Sequence, residues 1–382
     1  MPVNNVMRKK VCFVVSSPLT VKAFLLNHLA TLKNEFDLYI VANFVNEADA
    51  SFLTSKGYNI YDVKVEREIN LVKDTKALID LVKYFKQHKF DIVHSVTPKA
   101  GLLAMCAAWI ANVRNRVHIF TGQVWYTKAG VMKKLLMLMD RIIANAATTI
   151  LVDGEPQRQF LINNKIVPPS KSQVLGKGSI SGVDVERFNP DFLVRQSIRT
   201  ELSLQDNNVV FGFLGRLKVD KGILDLANAF KMVLKDNAHI RLLIIGYDED
   251  NLMPQVKEIV KSDESIIFYG STPKPEVVLQ ALDVFCLPSY REGFGTSVIE
   301  ASLLNLPVIC SDTYGLMDTI IDGETGLRHR VKDVEDIYKQ MLKLTQSAEL
   351  RKYLGYNGRN YVLENFSAAT ISNYWLDFYR NF

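Results

Sequence analysis

Ten consecutive residues, Arg291-Glu292-Gly293-Phe294-Gly295-Thr296-Ser297-Val298-Ile299-Glu300, combine two glutamates, two glycines and a helix start. The apolar Val284-Phe285-Cys286-Leu287 ahead of them reads as a buried strand ending at Pro288-Ser289, and residues 298–304 read as a helix. A helix N-terminus offers unpaired N–H groups and the positive end of a dipole, a setting for phosphate. Gly293 and Gly295 let backbone approach a ligand closely. Carboxylates are poor phosphate ligands but accept hydrogen bonds from sugar hydroxyls. The stretch suits a nucleotide diphosphate together with its sugar.

A second set of chemistry-bearing residues lies earlier, in Phe211-Gly212-Phe213-Leu214-Gly215-Arg216 and Lys221-Gly222. Here a strand runs into a glycine turn, an arginine, and a Lys-Gly pair that opens a helix. Arginine grips phosphate oxygens in pairs and lysine acts as a point charge. Two loop cations alone would read as solvated charges. Placed on the same sheet edge as the glutamate stretch, Arg216 and Lys221 suit a diphosphate leaving group.

The elements that must position these residues alternate along the whole chain. Strands are predicted at 10–16, 38–42, 60–63, 91–96, 116–121, 148–152 and 173–175, with helices at 19–32, 72–87, 99–112, 131–147 and 155–163. Gly176, Gly178, Gly182 and Pro190 break the rhythm around residues 179–190, which read as a hinge. Strands at 209–214, 241–245, 266–269, 284–287 and 308–310 then alternate with helices at 223–234, 251–261 and 275–282. Helices at 334–344, 348–364 and the aromatic-rich 368–382 end the chain. This is an α/β pattern of two Rossmann-like, doubly wound parallel sheets, over 1–187 and 188–367. Ligands of such sheets bind outside the carboxyl ends of the strands.

The 382 residues, 48% hydrophobic and 23% charged, suit a globular protein of two domains. Cys12, Cys106, Cys286 and Cys310 each sit in an apolar run without CxxC spacing, so buried thiols are expected rather than disulfides or zinc. The start of the chain has no secretion-signal pattern and no stretch is long enough to span a membrane, so a cytoplasmic protein is expected. Up to Arg187 there are 25 Lys and Arg against 15 Asp and Glu; beyond it, 21 against 26. The halves of +10 and −5 make the net +5. No basic motif interleaved with aromatics is present, so nucleic acid is not an expected partner. The basic, Met- and Leu-rich segment 126–147 fits either core packing or a bilayer interface.

The order Gly215-Arg216…Lys221-Gly222, Pro288-Ser289…Glu292-Gly293-Phe294-Gly295…Glu300-Ala301 and Gly323-Glu324-Thr325-Gly326-Leu327 resembles the retaining nucleotide-sugar glycosyltransferases of family 4. The likeness covers nearly all of the second half. Val93-His94-Ser95-Val96-Thr97-Pro98-Lys99-Ala100-Gly101 and Gly182-Val183-Asp184…Arg187-Phe188 extend it more weakly into the first. It implies the GT-B fold, two Rossmann-like domains facing across a cleft, with donor on the second domain, acceptor on the first, and residues 368–382 packing back on the first.

By that resemblance, Arg216 and Lys221 stabilise the departing diphosphate. Gly215 and the N–H groups of Phe294, Gly295 and Thr296 hold phosphate or sugar oxygens. Glu292 binds sugar hydroxyls, Glu300 binds ribose, and Ser271 and Thr272 lie near the base. Two departures concern the first half. The loop after the first strand is Ser16-Ser17-Pro18-Leu19-Thr20, without glycine, so its backbone N–H groups or Ser16 and Ser17 would have to meet the donor. Thr121-Gly122-Gln123 stands where relatives carry His-Gly, so Thr121 or Gln123 would replace that histidine, with His94 a further acceptor-side candidate and His118 a core residue. Asp248-Glu249-Asp250 imitates a metal motif but reads as a solvated acidic turn; no metal or other cofactor is expected. The implied activity is retaining transfer from a nucleotide-diphosphate sugar, UDP-linked by preference, to a glycan or lipid-linked glycan, with contact to the inner membrane face through the basic half. A nucleotide-sugar epimerase and a silent nucleotide-sugar-binding protein are the alternatives.

Overall fold

The structure, a computed structural model, describes residues 8–65 and 70–382. Part of the N-terminal stretch read for a secretion signal, residues 1–7, lies outside the described residues. The chain divides into two compact units: unit 1 is Met1–Ser181 with Ala368–Phe382, and unit 2 is Gly182–Ser367. The division falls before the expected residue 187, because Arg187 is tied into unit 2 through Glu276 at 2.7 Å.

Unit 1 is built on β1 (Lys10–Val14), β2 (Asp37–Ala42), β3 (Asn59–Asp62), β4 (Ile92–Val96), β5 (Asn115–Phe120), β6 (Thr149–Val152) and β7 (Ser172–Val174). They form one parallel sheet in the order β3-β2-β1-β4-β5-β6-β7. Its central strands are buried end to end, as in Ile92–Val96, which is why they read as continuous apolar runs. Helices α1 (Leu26–Leu32), α2 (Leu71–His88), α3 (Pro98–Ile110), α4 (Gly130–Ala146) and α5 (Glu155–Asn163) connect them. The segment expected as one helix at 19–32 is instead a short turn, a π-helical stretch Val21–Leu25, and α1. The C-terminal helix Ala368–Arg380 belongs to this unit and buries Trp375 and Tyr379 completely.

Unit 2 carries β8 (Val209–Leu214), β9 (Ile240–Ile245), β10 (Ile266–Gly270), β11 (Val284–Leu287), β12 (Val308–Ser311) and β13 (Leu327–His329), in the parallel order β10-β9-β8-β11-β12-β13. The three-residue β13 is too short to have shown a period in the sequence. Helices α6 (Ile223–Leu234) and α7 (Thr296–Leu303) follow β8 and the loop after β11.

In each sheet the chain builds outwards from one strand and then crosses to its other side. That places the switch point between β1 and β4 in unit 1, and between β8 and β11 in unit 2. A crevice opens at the carboxyl end of such a pair.

Candidate active site

In unit 2 both loops singled out from the sequence flank the switch point. Gly222, at φ +71°, holds them together: a Cβ there would lie 2.2 Å from the Pro288 carbonyl oxygen. The Tyr290 N–H donates to the Asp220 carbonyl at 2.8 Å, and Arg291 pairs with the Asp220 carboxylate at 3.3 Å. Tyr290 then donates its hydroxyl to Asp225 on α6 at 2.7 Å.

Across this junction Lys221 Nζ meets Glu292 Oε1 at 2.5 Å, with side chains 20% and 13% exposed. An ammonium and a carboxylate are thus held in contact and partly desolvated. Such a pair can be opened by a ligand that brings its own phosphate for the lysine and hydroxyls for the glutamate. Arg216 is exposed and pairs with Glu249 at 2.8 Å, and the same carboxylate takes Lys218 at 2.8 Å. The acidic turn is exposed at Glu249 and Asp250, as expected of a solvated turn, and its carboxylates also serve local contacts. Glu249 steers Arg216, Asp250 accepts the Val219 N–H at 3.0 Å, and Asp248 caps the N–H groups of Leu252 and Met253. Among the described residues, no group of three or more His, Cys, Asp or Glu side chains is placed to hold a metal ion.

The glycine loop differs from expectation in its donors. Its backbone lies against Gly315, where a Cβ would come within 2.3 Å of the Glu292 carbonyl oxygen. The Gly295 N–H donates to Gly315 O at 3.2 Å and the Thr296 N–H to Phe294 O at 2.9 Å. Both groups are spent on shaping the turn. Among the expected N–H donors, Phe294's has no acceptor among the described residues, nor does that of Ser297 in the first turn of α7. The Phe294 ring packs on Phe366, with centroids 5.3 Å apart.

Glu300, on α7, makes no hydrogen bond among the described residues. Burial raises its carboxyl to about 7, with Arg187 pulling it down and Glu276 pushing it up. Arg187 was quoted in the sequence without a role. It donates to Glu276 Oε2 at 2.7 Å and to Pro273 O at 3.1 Å, which joins Glu300's surroundings to the loop carrying Ser271 and Thr272. Ser271 is exposed, and the Thr272 hydroxyl accepts the Lys274 N–H at 3.0 Å. Gly215, Arg216, Lys221, Glu292, Phe294, Gly295, Thr296 and Glu300 thus gather on the carboxyl edge of one sheet.

The unit 1 candidates separate. Ser16 and Ser17 line an open pocket of about 400 Å³ with Asn43, Asn46 and Asp49. Ser17 accepts the Leu19 N–H at 3.1 Å and Ser16 accepts the Thr97 hydroxyl at 3.2 Å. Thr97 itself has φ +76°, an unfavourable backbone state for a β-branched residue. His94 corrects the expectation of an acceptor contact. Its ring is fully buried, accepts or donates at Nδ1 with the Tyr379 hydroxyl at 2.5 Å, and stacks on Trp375 at 5.1 Å. Burial holds its pKa well below the ordinary imidazole value. As a fully enclosed core residue it presents no face to a substrate. His118 is likewise buried, bonded to Ser95 at 2.8 Å beneath Gly101. Gln123 is also turned inward, where its carbonyl accepts from Gln157 at 3.4 Å. Thr121 remains half-buried on the edge after β5.

Known proteins resemble this chain in sequence and in fold. The description "Glycosyl transferases group 1" matches residues 194–361, and "Glycosyl transferase 4-like domain" matches residues 25–178. The capsular polysaccharide biosynthesis glycosyltransferase CapM of Staphylococcus aureus is 31% identical over 312 residues, 81% of each chain. An Escherichia coli protein, UDP-Gal:alpha-D-GlcNAc-diphosphoundecaprenol alpha-1,3-galactosyltransferase, is 28% identical over 79% of this chain and 78% of its own. The crystal structure of Anabaena HepE in complex with UDP superposes with a TM-score of 0.81 at 15% identity, covering 98% of this chain and 100% of that one, which shows a shared GT-B fold. With two matched halves and a relative of this identity and coverage, the chain belongs to the group 1, family 4 glycosyltransferases.

Proposed function

We propose that the protein is a retaining, metal-independent glycosyltransferase that moves a sugar from a UDP-sugar to a lipid-linked glycan during polysaccharide assembly at the cytoplasmic membrane face. The observation that carries this reading is the partly desolvated Lys221–Glu292 pair at 2.5 Å, on the switch point of unit 2. A diphosphate would take Lys221 and Arg216, and the released Glu292 would accept sugar hydroxyls. Glu300, unpartnered and half-buried, suits the ribose hydroxyls. The relatives support the substrate class: the E. coli protein's name specifies a UDP-sugar and a diphosphoundecaprenol-linked acceptor, and the Anabaena structure contains UDP.

In the proposed reaction the bond between the anomeric carbon and the β-phosphate oxygen breaks, and the electron pair leaves with the diphosphate. Lys221 and Arg216 stabilise that charge, a contribution of about 3–4 kcal/mol for a well-placed donor. The acceptor hydroxyl attacks from the face the phosphate leaves, and a phosphate oxygen takes its proton. Configuration is retained without an enzyme nucleophile, with the released Glu292 occupied by sugar hydroxyls.

A panel of UDP-, GDP- and ADP-sugars with a diphospho-lipid glycan acceptor tests the reading. The expected outcome is an acceptor extended through an α-linkage by NMR, at an unchanged rate in excess EDTA. An isomerised donor without transfer would make the protein an epimerase, and binding without turnover would make it a silent receptor. Loss of activity in EDTA would refute metal independence.

A further inference from the structure

A second cavity, of about 310 Å³, lies within unit 1 at the carboxyl ends of β4 and β5. That is the lower end of the size range of small-molecule sites, about 300–1,000 Å³. Its walls are largely apolar: Leu102 and Leu103 of α3, Trp125, and Leu136 and Met139 of α4, with the exposed Leu71 at its edge. Two cations stand beside these walls. Lys99 lines the cavity and pairs with Asp74 at 2.8 Å. Lys133 Nζ lies 5.9 Å from the Trp125 ring centroid. The Trp125 indole is fixed by donating to the buried Asp140 at 2.7 Å.

Next to the cavity, α4 leaves an apolar stripe uncovered. Val131, Leu135, Leu138 and Ile142 are all exposed, Val131 by 83%, and their spacing puts them on one helix face. The opposite face buries Asp140, Ile143 and Ala144. Core packing therefore accounts for one side of the segment and leaves the other without a partner. The exposed Lys134 flanks the uncovered stripe. An apolar helix face edged by lysine suits the interface of an anionic bilayer.

We propose that this cavity holds the first isoprenoid units of a polyprenyl-diphosphate-linked acceptor, with Lys99 and Lys133 facing its diphosphate and the α4 stripe seated in the membrane that carries the chain. The assignment rests on the transferase reading above and adds a lipid site to it. The lining is mostly leucine, methionine, valine and tryptophan, with Asp74, Lys99 and Asp140 as its charged groups, which suits a ligand that is mainly hydrocarbon with an anionic end. A neutral hydrocarbon would have no use for two flanking cations, whereas an anionic diphosphate on an alkyl chain uses both features.

The test uses farnesyl diphosphate as a short soluble probe, titrated calorimetrically into the full chain, with inorganic pyrophosphate as comparison. Farnesyl diphosphate is expected to bind at least 10-fold more tightly than pyrophosphate. Leu136→Glu and Leu102→Glu should each erase that advantage while leaving the UDP-induced rise in Tm intact, which reports that the chain has folded. Lys133→Glu should weaken both anions. Equal affinity for the two anions, or full farnesyl diphosphate binding by folded Leu136→Glu, overturns the proposal. So does loss of flotation with phosphatidylglycerol vesicles in Leu136→Glu while farnesyl diphosphate still binds, because that outcome leaves a membrane contact without a lipid pocket. Failure of the transferase reading looks different: no nucleotide sugar is turned over, yet the prenyl preference persists.

Discussion

The two units repeat one topology and furnish its switch point in opposite ways. In unit 2, the loops after β8 and β11 carry cations and carboxylates that pair across the gap: Lys221 with Glu292, and Asp220 with Arg291. In unit 1, the loop after β1 offers two serine hydroxyls, and the histidines of β4 and β5 are sealed inside. Fixed opposite charges favour an anionic ligand whose shape is constant. A sparsely charged edge beside an apolar cavity favours a ligand with a hydrocarbon part. The same fold thus carries a paired-charge edge on one sheet and a sparsely charged edge on the other.

The strongest way to break this comparison is Lys221→Ala. Turnover with the productive UDP-sugar should fall by about 10²–10³-fold, as when one electrostatic donor is lost, with Tm nearly unchanged. A near-normal rate would remove the charged edge from the chemistry.

Glu300→Gln should weaken UDP binding by about 10-fold at pH 8, on the order of 1.4 kcal/mol. It should also flatten the pH dependence. With its carboxyl raised to about 7, Glu300 is largely protonated at pH 6 and ionised at pH 8, and only the ionised form accepts from both ribose hydroxyls. Wild-type affinity should therefore rise across pH 6–8 with proton release, read by titration in two buffers. A slope that survives in the glutamine variant belongs to the nucleotide instead.

The other side of the comparison is probed by Tyr379→Phe. Removing the partner of His94 should cost about 1–3 kcal/mol of stability and leave UDP affinity unchanged. If acceptor kinetics change at constant stability, the buried histidine is coupled to the substrate.

A pH-dependent effect is expected at Asp153, which follows β6. One carboxylate oxygen has no partner among the described residues, and burial raises the group from 3.8 to about 8. Unfolding then releases a proton between those values, so the wild type loses stability as pH rises from 3.8 to about 8. Asp153→Asn should escape that loss, with a Tm advantage that widens from pH 5 to pH 8 in a thermal scan. A constant difference would mean that the carboxyl is not protonated in the folded protein.

The strand–helix alternation and the cluster of charges on one sheet edge were readable because each rests on local signals: apolar runs, glycines, and charges just past a strand. Arg216, Lys221, Glu292 and Glu300 were singled out that way, and the structure gathers them on one edge. Glu249 as the anchor of Arg216 was not, since the contact joins residues far apart in sequence through the parallel pairing of β8 and β9. Nor could the sequence show that Gly295 and Thr296 spend their N–H groups inside their own turn. His94 misled for a related reason. A histidine near a strand's end looks available until the alternation of the strand and a helix from the other end of the chain enclose it.

That helix, Ala368–Arg380, has a consequence for how the protein is made. Trp375 stacks between His28 and His94, at 4.6 Å and 5.1 Å, so the core of unit 1 includes residues that follow unit 2 in the chain. Unit 2 is contiguous in the chain, whereas unit 1 is completed only by residues that lie beyond unit 2. The usual N-terminal-first order would then not hold, and limited proteolysis of a released chain truncated after residue 367 should find unit 2 resistant and unit 1 cleaved. Early resistance of unit 1 would show that its sheet matures without the final helix.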